Sequence, residues 1–318
     1  MRKNIHITNE VELKQYITQF QTTVIFSDIE SLTRKQYAKS SCLAMCKDWN
    51  HFIEFCQHFN LGALPAEVDT IRLFIHYLSS RRKYSSIRRN VITIGQIHQI
   101  LNLKDPTNTN ITKRALFELK ANKGSDEKAT TELSIEQLDT LTDILLRSDN
   151  TKDIRDLALI RVMFECALKR KDIRDLTFNQ IDLAPERYTL QLDDNSLYQL
   201  TELTTLVLRR WVSFIDGCGV VFRAIDKHGN IGSSPLNDSS IYRIFRAASE
   251  KLGVPGLTFS GQSTRVGAVK ELHRQGYSIR DIQKFGRWQS YVMPAHYLEN
   301  DELAEQGIIE FKQIKPLD

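Results

Sequence analysis

The sequence predicts a mainly α-helical protein with a small β-sheet, divided into two domains. Three observations carry that reading. Apolar residues recur at helical spacing through most of the chain, as in Trp49, Phe52, Ile53 and Cys56. One short stretch, Tyr188-Thr189-Leu190-Gln191-Leu192, alternates and runs into the turn-forming Asp193-Asp194-Asn195-Ser196. Between them ANKGSDEKATT, residues 121–131, holds no large apolar residue, which is the composition of an interdomain linker. With 318 residues the chain is long enough for two ordinary cores.

The elements follow in order. VELKQYITQF forms a short first helix. Ser31 is placed to cap a long helix from Thr33 to about Phe59, with Leu43, Trp49, Phe52, Ile53 and Cys56 on its inner face. Pro65 suits the first turn of a helix from Ala66 to Ser79, with Val68, Ile71, Phe74, Ile75 and Leu78 inward. Ser85 or Ser86 starts a third helix that runs to about Leu101. Pro106 separates it from a fourth, from about Ile111 to Lys120. The first domain, residues 1–122, is therefore an all-α bundle, and 123–131 is the linker. In the second domain, 132–318, Ser134 caps SIEQLDTLTDILL, and 153–168 is a strongly apolar helix. The strand at 188–192 returns through 197–200. Glu202 to Ile215 is a helix, Val220-Val221-Phe222 a short strand, and Asp238 to Leu252 another helix. Residues 301–311 form an amphipathic tail helix.

Composition excludes several classes. Hydrophobic residues make up 41% and charged residues 26%, no run reaches the length of a membrane span, and the charged N-terminus has no apolar signal core. The expected location is cytoplasmic. Cys42, Cys46, Cys56, Cys166 and Cys218 lack zinc-ligand spacing and read as reduced cysteines. The net charge of +4 is uneven: residues 1–130 carry 19 Lys+Arg against 12 Asp+Glu, the remainder 24 against 27. A basic N-terminal half suggests a polyanion partner, most simply nucleic acid.

The most informative stretch is Ser260 to Tyr297, SGQSTRVGAVKELHRQGYSIRDIQKFGRWQSYVMPAHY. Successive helices there carry Arg265, Trp288 and, nine residues later, Tyr297. An arginine, an indole and a phenol suffice for a pocket around one phosphate. This stretch resembles the catalytic core of the tyrosine recombinases, the phage integrase family. MCKDWNHFIEFC resembles the family's first-domain helix, and DIRDLALIRVMFECALKRKDIRDLTFNQIDL its first catalytic segment, so the resemblance spans nearly the whole chain.

The resemblance implies a helical core-binding domain followed by an α+β catalytic-type domain. It implies a tyrosine that attacks a DNA phosphodiester to form a 3′-phosphotyrosyl link, with no metal or nucleotide cofactor. Cations hold the phosphorane oxygens. Tyr297 stands where the nucleophile stands, Arg265 at the second arginine, and Trp288 at a hydrogen-bond donor position. Gln262 replaces a histidine; it donates to a phosphate oxygen but is no base. Lys169 replaces the first arginine, keeping charge and losing the bidentate fork. Asp172 takes the place of the acidic residue that orients this region. Between Lys171 and Lys227 there is no lysine, and the hairpin turn holds Asp193 and Asp194 where the family has its general acid. Lys171 or Lys227 is left as a substitute acid.

The resemblance also implies double-stranded DNA as partner. Contacts are expected from Lys39, from Arg81, Arg82, Lys83, Ser85, Ser86, Arg88 and Arg89, from Arg170, and from Ser239, Ser240, Tyr242 and Arg243 on a helix that enters the major groove in a family member. Blander readings stand beside these. Trp288 suits a core, Lys169 and Arg170 suit solvated helix ends, and 81–89 suits a solvated face. The tail is expected to join protomers into a dimer or tetramer on DNA. Two readings of function follow: a sequence-specific DNA-binding protein with weakened or lost cleavage, or a fully active site-specific recombinase.

Overall fold

The computed structural model describes residues 5–123 and 129–314. The chain divides into two compact units, Met1–Lys128 and Ala129–Asp318. Of the expected linker 123–131, residues 124–128 lie outside the described part.

The first unit is all helical: Glu10–Gln19, Phe26–Leu32, Lys39–His58, Val68–Ser79, Tyr84–Ile100 and Asn110–Asn122. Asn9 caps the first helix and Thr109 the last with side-chain oxygens. The core is aromatic. Trp49 and Phe52 are fully buried, and Phe52 meets Phe74 edge to face at 5.1 Å. His98 is also fully buried; it accepts from the Ala66 amide at 3.0 Å and donates to the Ile94 carbonyl at 2.8 Å.

Three expectations for this unit need correction. Ser31 caps nothing: it lies inside the unexpected Phe26–Leu32 helix, and Arg34 and Lys35, at φ 48° and 55°, break the chain before the long helix starts at Lys39. Leu43 is 43% exposed, because the buried stripe of that helix runs through Cys42, Met45, Trp49, Phe52 and Cys56. Pro65 precedes its helix, which starts at Val68 after Glu67.

The second unit is built around the Thr151–Glu165 helix, buried from Ile154 to Phe164 except at Asp156. A helix buried on nearly every face needs cover from several elements. The Ile135–Leu146, Glu202–Val212 and Ser263–Arg274 helices pack on it. Ser134 and Gln137 close the capping box of the first of these. Arg161, buried in this packing, donates to the hydroxyls of Thr204 at 3.0 Å and Thr142 at 2.8 Å.

The sheet is three-stranded and antiparallel: β1 Ile181–Asp182, β2 Thr189–Gln191 and β3 Leu197–Gln199, in that order. Leu190 pairs with Tyr198, and the turn between β2 and β3 carries Asp193 to Ser196. The Tyr198 hydroxyl donates to the Phe285 carbonyl at 2.6 Å, tying this hairpin to the end of the Ile279–Phe285 helix. The expected strand at Val220–Phe222 is not one. Val221 and Phe222 are consumed as core, and the strands are β4 Arg223–Ile225 and β5 Ile231–Pro235. The remaining helices are Arg170–Asp175, Asp238–Lys251, Val292–Tyr297 and the tail Asp301–Ile314.

Candidate functional site

The site forms where the Ser263–Arg274 helix, the Gly286–Trp288 segment and the Val292–Tyr297 helix meet. Arg265, in the first turn of its helix, is 3% exposed. Its Nη1 donates to the carbonyl of Ala167 and its Nη2 to that of Gly286 at 2.9 Å. Ala167 takes φ 47° as the chain leaves the central helix, which turns its carbonyl toward this contact. The guanidinium lies 4.0 Å from the centre of the Trp288 ring. Trp288 can lie there because its ring covers Gly286, where any Cβ would collide with it. Two carbonyls and an indole face fix Arg265, and the rest of its five N–H donors remain for an anion. Burial lowers its pKa to about 10, with Tyr297 opposing; at neutral pH it stays charged.

Tyr297 is half-buried, and its hydroxyl accepts a hydrogen bond from the Gln262 side-chain amide. Its ring meets Trp288 edge-on at 6.2 Å. Burial raises its pKa above 10.0; the Arg265 charge and the Gln262 bond pull the other way. Tyr297, Gln262, Arg265 and Trp288 are thus one cluster.

The other expected catalytic position stands apart. Lys169 precedes the Arg170–Asp175 helix with its side chain exposed, and among the described residues no hydrogen bond or ion pair joins its ammonium to the cluster. Its backbone N–H donates to Asp172 at 3.0 Å. Arg170 lays its stem on Gly261, where an added Cβ would sit 2.7 Å from the arginine Cδ. The hairpin carboxylates diverge. Asp193 accepts from Gln180 at 2.8 Å, while Asp194 faces Arg287, at 3.4 Å. Lys171 is exposed, and Lys227 lies exposed in the β4–β5 turn, on a different hairpin.

Arg287 was not singled out in the sequence. Its Nη2 binds Asp172 and its Nη1 faces Asp194, while its Nε is buried with no partner among the described residues. Burial works against its charge, yet the Asp172 hydrogen bond and carboxylate raise its pKa. The available signal was an arginine directly before the tryptophan, in Gly286-Arg287-Trp288.

The candidates for nucleic-acid contact in the first unit are surface residues. Lys39, Arg81, Arg82, Lys83, Ser85 and Arg88 are exposed and Ser86 half-buried, with Ser85 and Ser86 in the first turn of the Tyr84–Ile100 helix. Arg81 donates to the Tyr77 hydroxyl at 2.6 Å and lies over that ring. Arg89 has an internal partner: Nε and Nη2 each bind Asp48 at 2.8 Å, and Asp48 is fully buried. In the second unit Ser239, Tyr242 and Arg243 are exposed on the first turns of the Asp238–Lys251 helix, and Arg243 donates to Ser240 at 3.2 Å.

Residues 129–303 match the phage integrase family profile. Recombinase cre of Escherichia phage P1 is 24% identical over 285 residues, covering 81% of this chain and 82% of that protein. An integrase/recombinase xerD homolog of Selenomonas ruminantium is 22% identical over 293 residues, covering 86% of each. The fold matches XerH site-specific recombinase bound to difH substrate at a TM-score of 0.63 and 12% identity, over 95% of this chain and 90% of that one. It matches a lambda integrase dimer bound to a COC' core site at 0.56 and 10%, over 90% and 95%. Because the profile covers more than half of the sequence and spans the Arg265–Trp288–Tyr297 cluster, the chain belongs to the phage integrase family of tyrosine recombinases.

Proposed function

We propose that this protein binds double-stranded DNA sequence-specifically and acts in, or regulates, site-specific recombination or integration, with strand cleavage through Tyr297 weakened. One observation carries the reading. The Tyr297 hydroxyl sits against Gln262 in a pocket with Arg265 and Trp288, while Lys169 lies exposed and the hairpin turn holds carboxylates.

In the chemistry this pocket supports, the Tyr297 oxygen attacks a phosphodiester phosphorus and the 5′ oxygen leaves. The phenol proton must go to a base, and the leaving oxygen must gain a proton. Arg265 and Gln262 stabilise negative charge on the phosphate and the phenolate. Neither accepts a proton at neutral pH. The leaving oxygen has Asp193 and Asp194 on the hairpin in place of an ammonium, and losing one well-placed donor costs on the order of 10²–10³ in rate.

The first unit acts as the core-binding domain through Lys39 and the 81–88 run, and the Asp238–Lys251 helix reads bases. XerH bound to difH substrate and a lambda integrase dimer bound to a COC' core site share this fold, and that likeness supports DNA as the ligand here. The tail assembles protomers on DNA, and the protein works at the nucleoid in a prokaryotic cytoplasm, in a host, phage or mobile-element context. A second reading, a fully active recombinase, is favoured by the tyrosine itself: a binding module has no use for a phenol held beside a buried arginine. Sequencing DNA that copurifies with the protein tests the common ground. One enriched sequence motif supports the proposal; a random or empty pool contradicts it.

A further inference from the structure

Arg287 occupies a position where its backbone is unfavourable. Its φ of 57° lies in the left-handed region that glycine enters freely and arginine does not. The side chain compensates by its contacts. It is 13% exposed and lies between Asp172 and the hairpin's Asp194.

These contacts are unequal. Asp172 is itself mostly buried, at 18%, and binds Nη2 closely. Asp194 is 49% exposed and stands 3.4 Å from Nη1, at the outer edge of a hydrogen bond. The Nε hydrogen has no partner among the described residues. A buried donor left unmade is unfavourable, and a ligand that supplied an acceptor would remove the deficit.

The second arginine is close by. Arg265 bonds the Gly286 carbonyl, which belongs to the same peptide as the Arg287 N–H. Burial lowers the pKa of Arg265 most, and the nearby charge of Arg287 lowers it further. Two cations close enough to disfavour each other's charge, one of them beside the half-buried Tyr297, are an arrangement that an anion stabilises. Lys169, exposed at the start of its helix, does not enter it.

We propose that Arg287 is the pocket's second phosphate-binding cation, held through Nη2 by Asp172, and that a phosphodiester entering beside Tyr297 displaces Asp194 from Nη1. This rests on the DNA-binding reading for the identity of the natural ligand, but the site is defined by its affinity for a tetrahedral oxyanion. Asp194 then plays two parts. It neutralises Arg287 while the pocket is empty, and its release frees the β2–β3 turn when a phosphate arrives. Arg287 thereby couples the hairpin to occupancy of the Tyr297 pocket.

The test uses the full chain and inorganic phosphate or tungstate, read by Trp288 fluorescence. Trp49 and Trp211 are fully buried, so a Trp288→Phe control isolates the signal. Arg287→Gly suits the backbone at φ 57° and is expected to fold, as circular dichroism will check, yet to bind the anion at least tenfold more weakly. Arg287→Lys should recover part of the loss, and Lys169→Ala should bind like the parent. Asp194→Asn should bind several-fold more tightly, because it removes the competitor. A merely structural Arg287 gives the opposite sign there, since loosening the hairpin weakens the site. Unchanged affinity in Arg287→Gly, weaker affinity in Asp194→Asn, or no saturable binding by the parent overturns the proposal. Anion binding with this pattern in a protein that shifts no DNA would instead contradict the DNA-binding reading alone.

Discussion

The Gln262 side-chain amide donates to the hydroxyl of Tyr297, so the group facing the phenol is a donor where a proton acceptor would assist attack. With burial holding the phenol pKa above 10.0, only a small fraction is phenolate at neutral pH. The rate of Tyr297–DNA adduct formation should therefore rise about tenfold per pH unit between about pH 7 and 9. Gln262→His should flatten that profile by supplying a base. Single-turnover rates on a nicked duplex check this; a flat profile in the parent contradicts it.

Binding should be strongly salt-dependent, with a slope of about 0.9 per neutralised phosphate. Arg82→Ala and Arg88→Ala should each lower the slope by about one without changing stability. Arg89→Ala should behave differently. Among the described residues it leaves the buried Asp48 carboxylate with only Thr93 as a side-chain partner and should cost roughly 1–3 kcal/mol of stability. Fluorescence titrations at several salt concentrations and urea unfolding separate the two effects.

The tail helix is anchored within its own chain by Ala304, 1% exposed, and by Gly307 against Tyr291, while Ile309 is 58% exposed. An apolar residue left outside such a short helix suits a groove on another copy. Deleting residues 301–318 should leave single-site binding and remove cooperativity. Ile309→Asp, which spares the internal anchor, should do the same. Gel shifts on one-site and two-site DNA measure it; unchanged cooperativity in both variants contradicts the assignment.

His98 accepts from Ala66 through Nε2 and is neutral in the folded core; burial lowers its pKa from 6.5, with the Ile94 bond opposing. Its folded pKa lies below its unfolded one, so the unfolded chain binds more protons as pH falls below 6.5. Stability of the first unit should drop there by up to about 1.4 kcal/mol per pH unit. Urea midpoints at pH 7.5 and 5.5 should differ in the parent and differ less in His98→Gln.

Much of the site was legible because Gln262, Arg265, Trp288 and Tyr297 lie within one stretch whose spacing survives. The hairpin was legible too, since alternation and turn chemistry act locally. What escaped was long-range or conformational. Arg287 reaches carboxylates 115 and 93 residues earlier in the chain, and no local pattern announces such a partner. Ser31 has the chemistry of a helix cap, but the left-handed Arg34 and Lys35 end the helix containing it before the next begins. Arg89 looked like its basic neighbours until Asp48, buried on another helix, was seen to hold it.

On the proposed reading, the pocket keeps Tyr297 as its nucleophile and lacks efficient proton transfer. Covalent trapping on a nicked cognate duplex at neutral pH tests it most directly. Tight binding is expected with only trace Tyr297-linked DNA, none in Tyr297→Phe, and a marked increase when Gln262→His and Asp194→Lys are combined. Abundant adduct from the unmodified protein at neutral pH would contradict it and identify a working recombinase with a different acid.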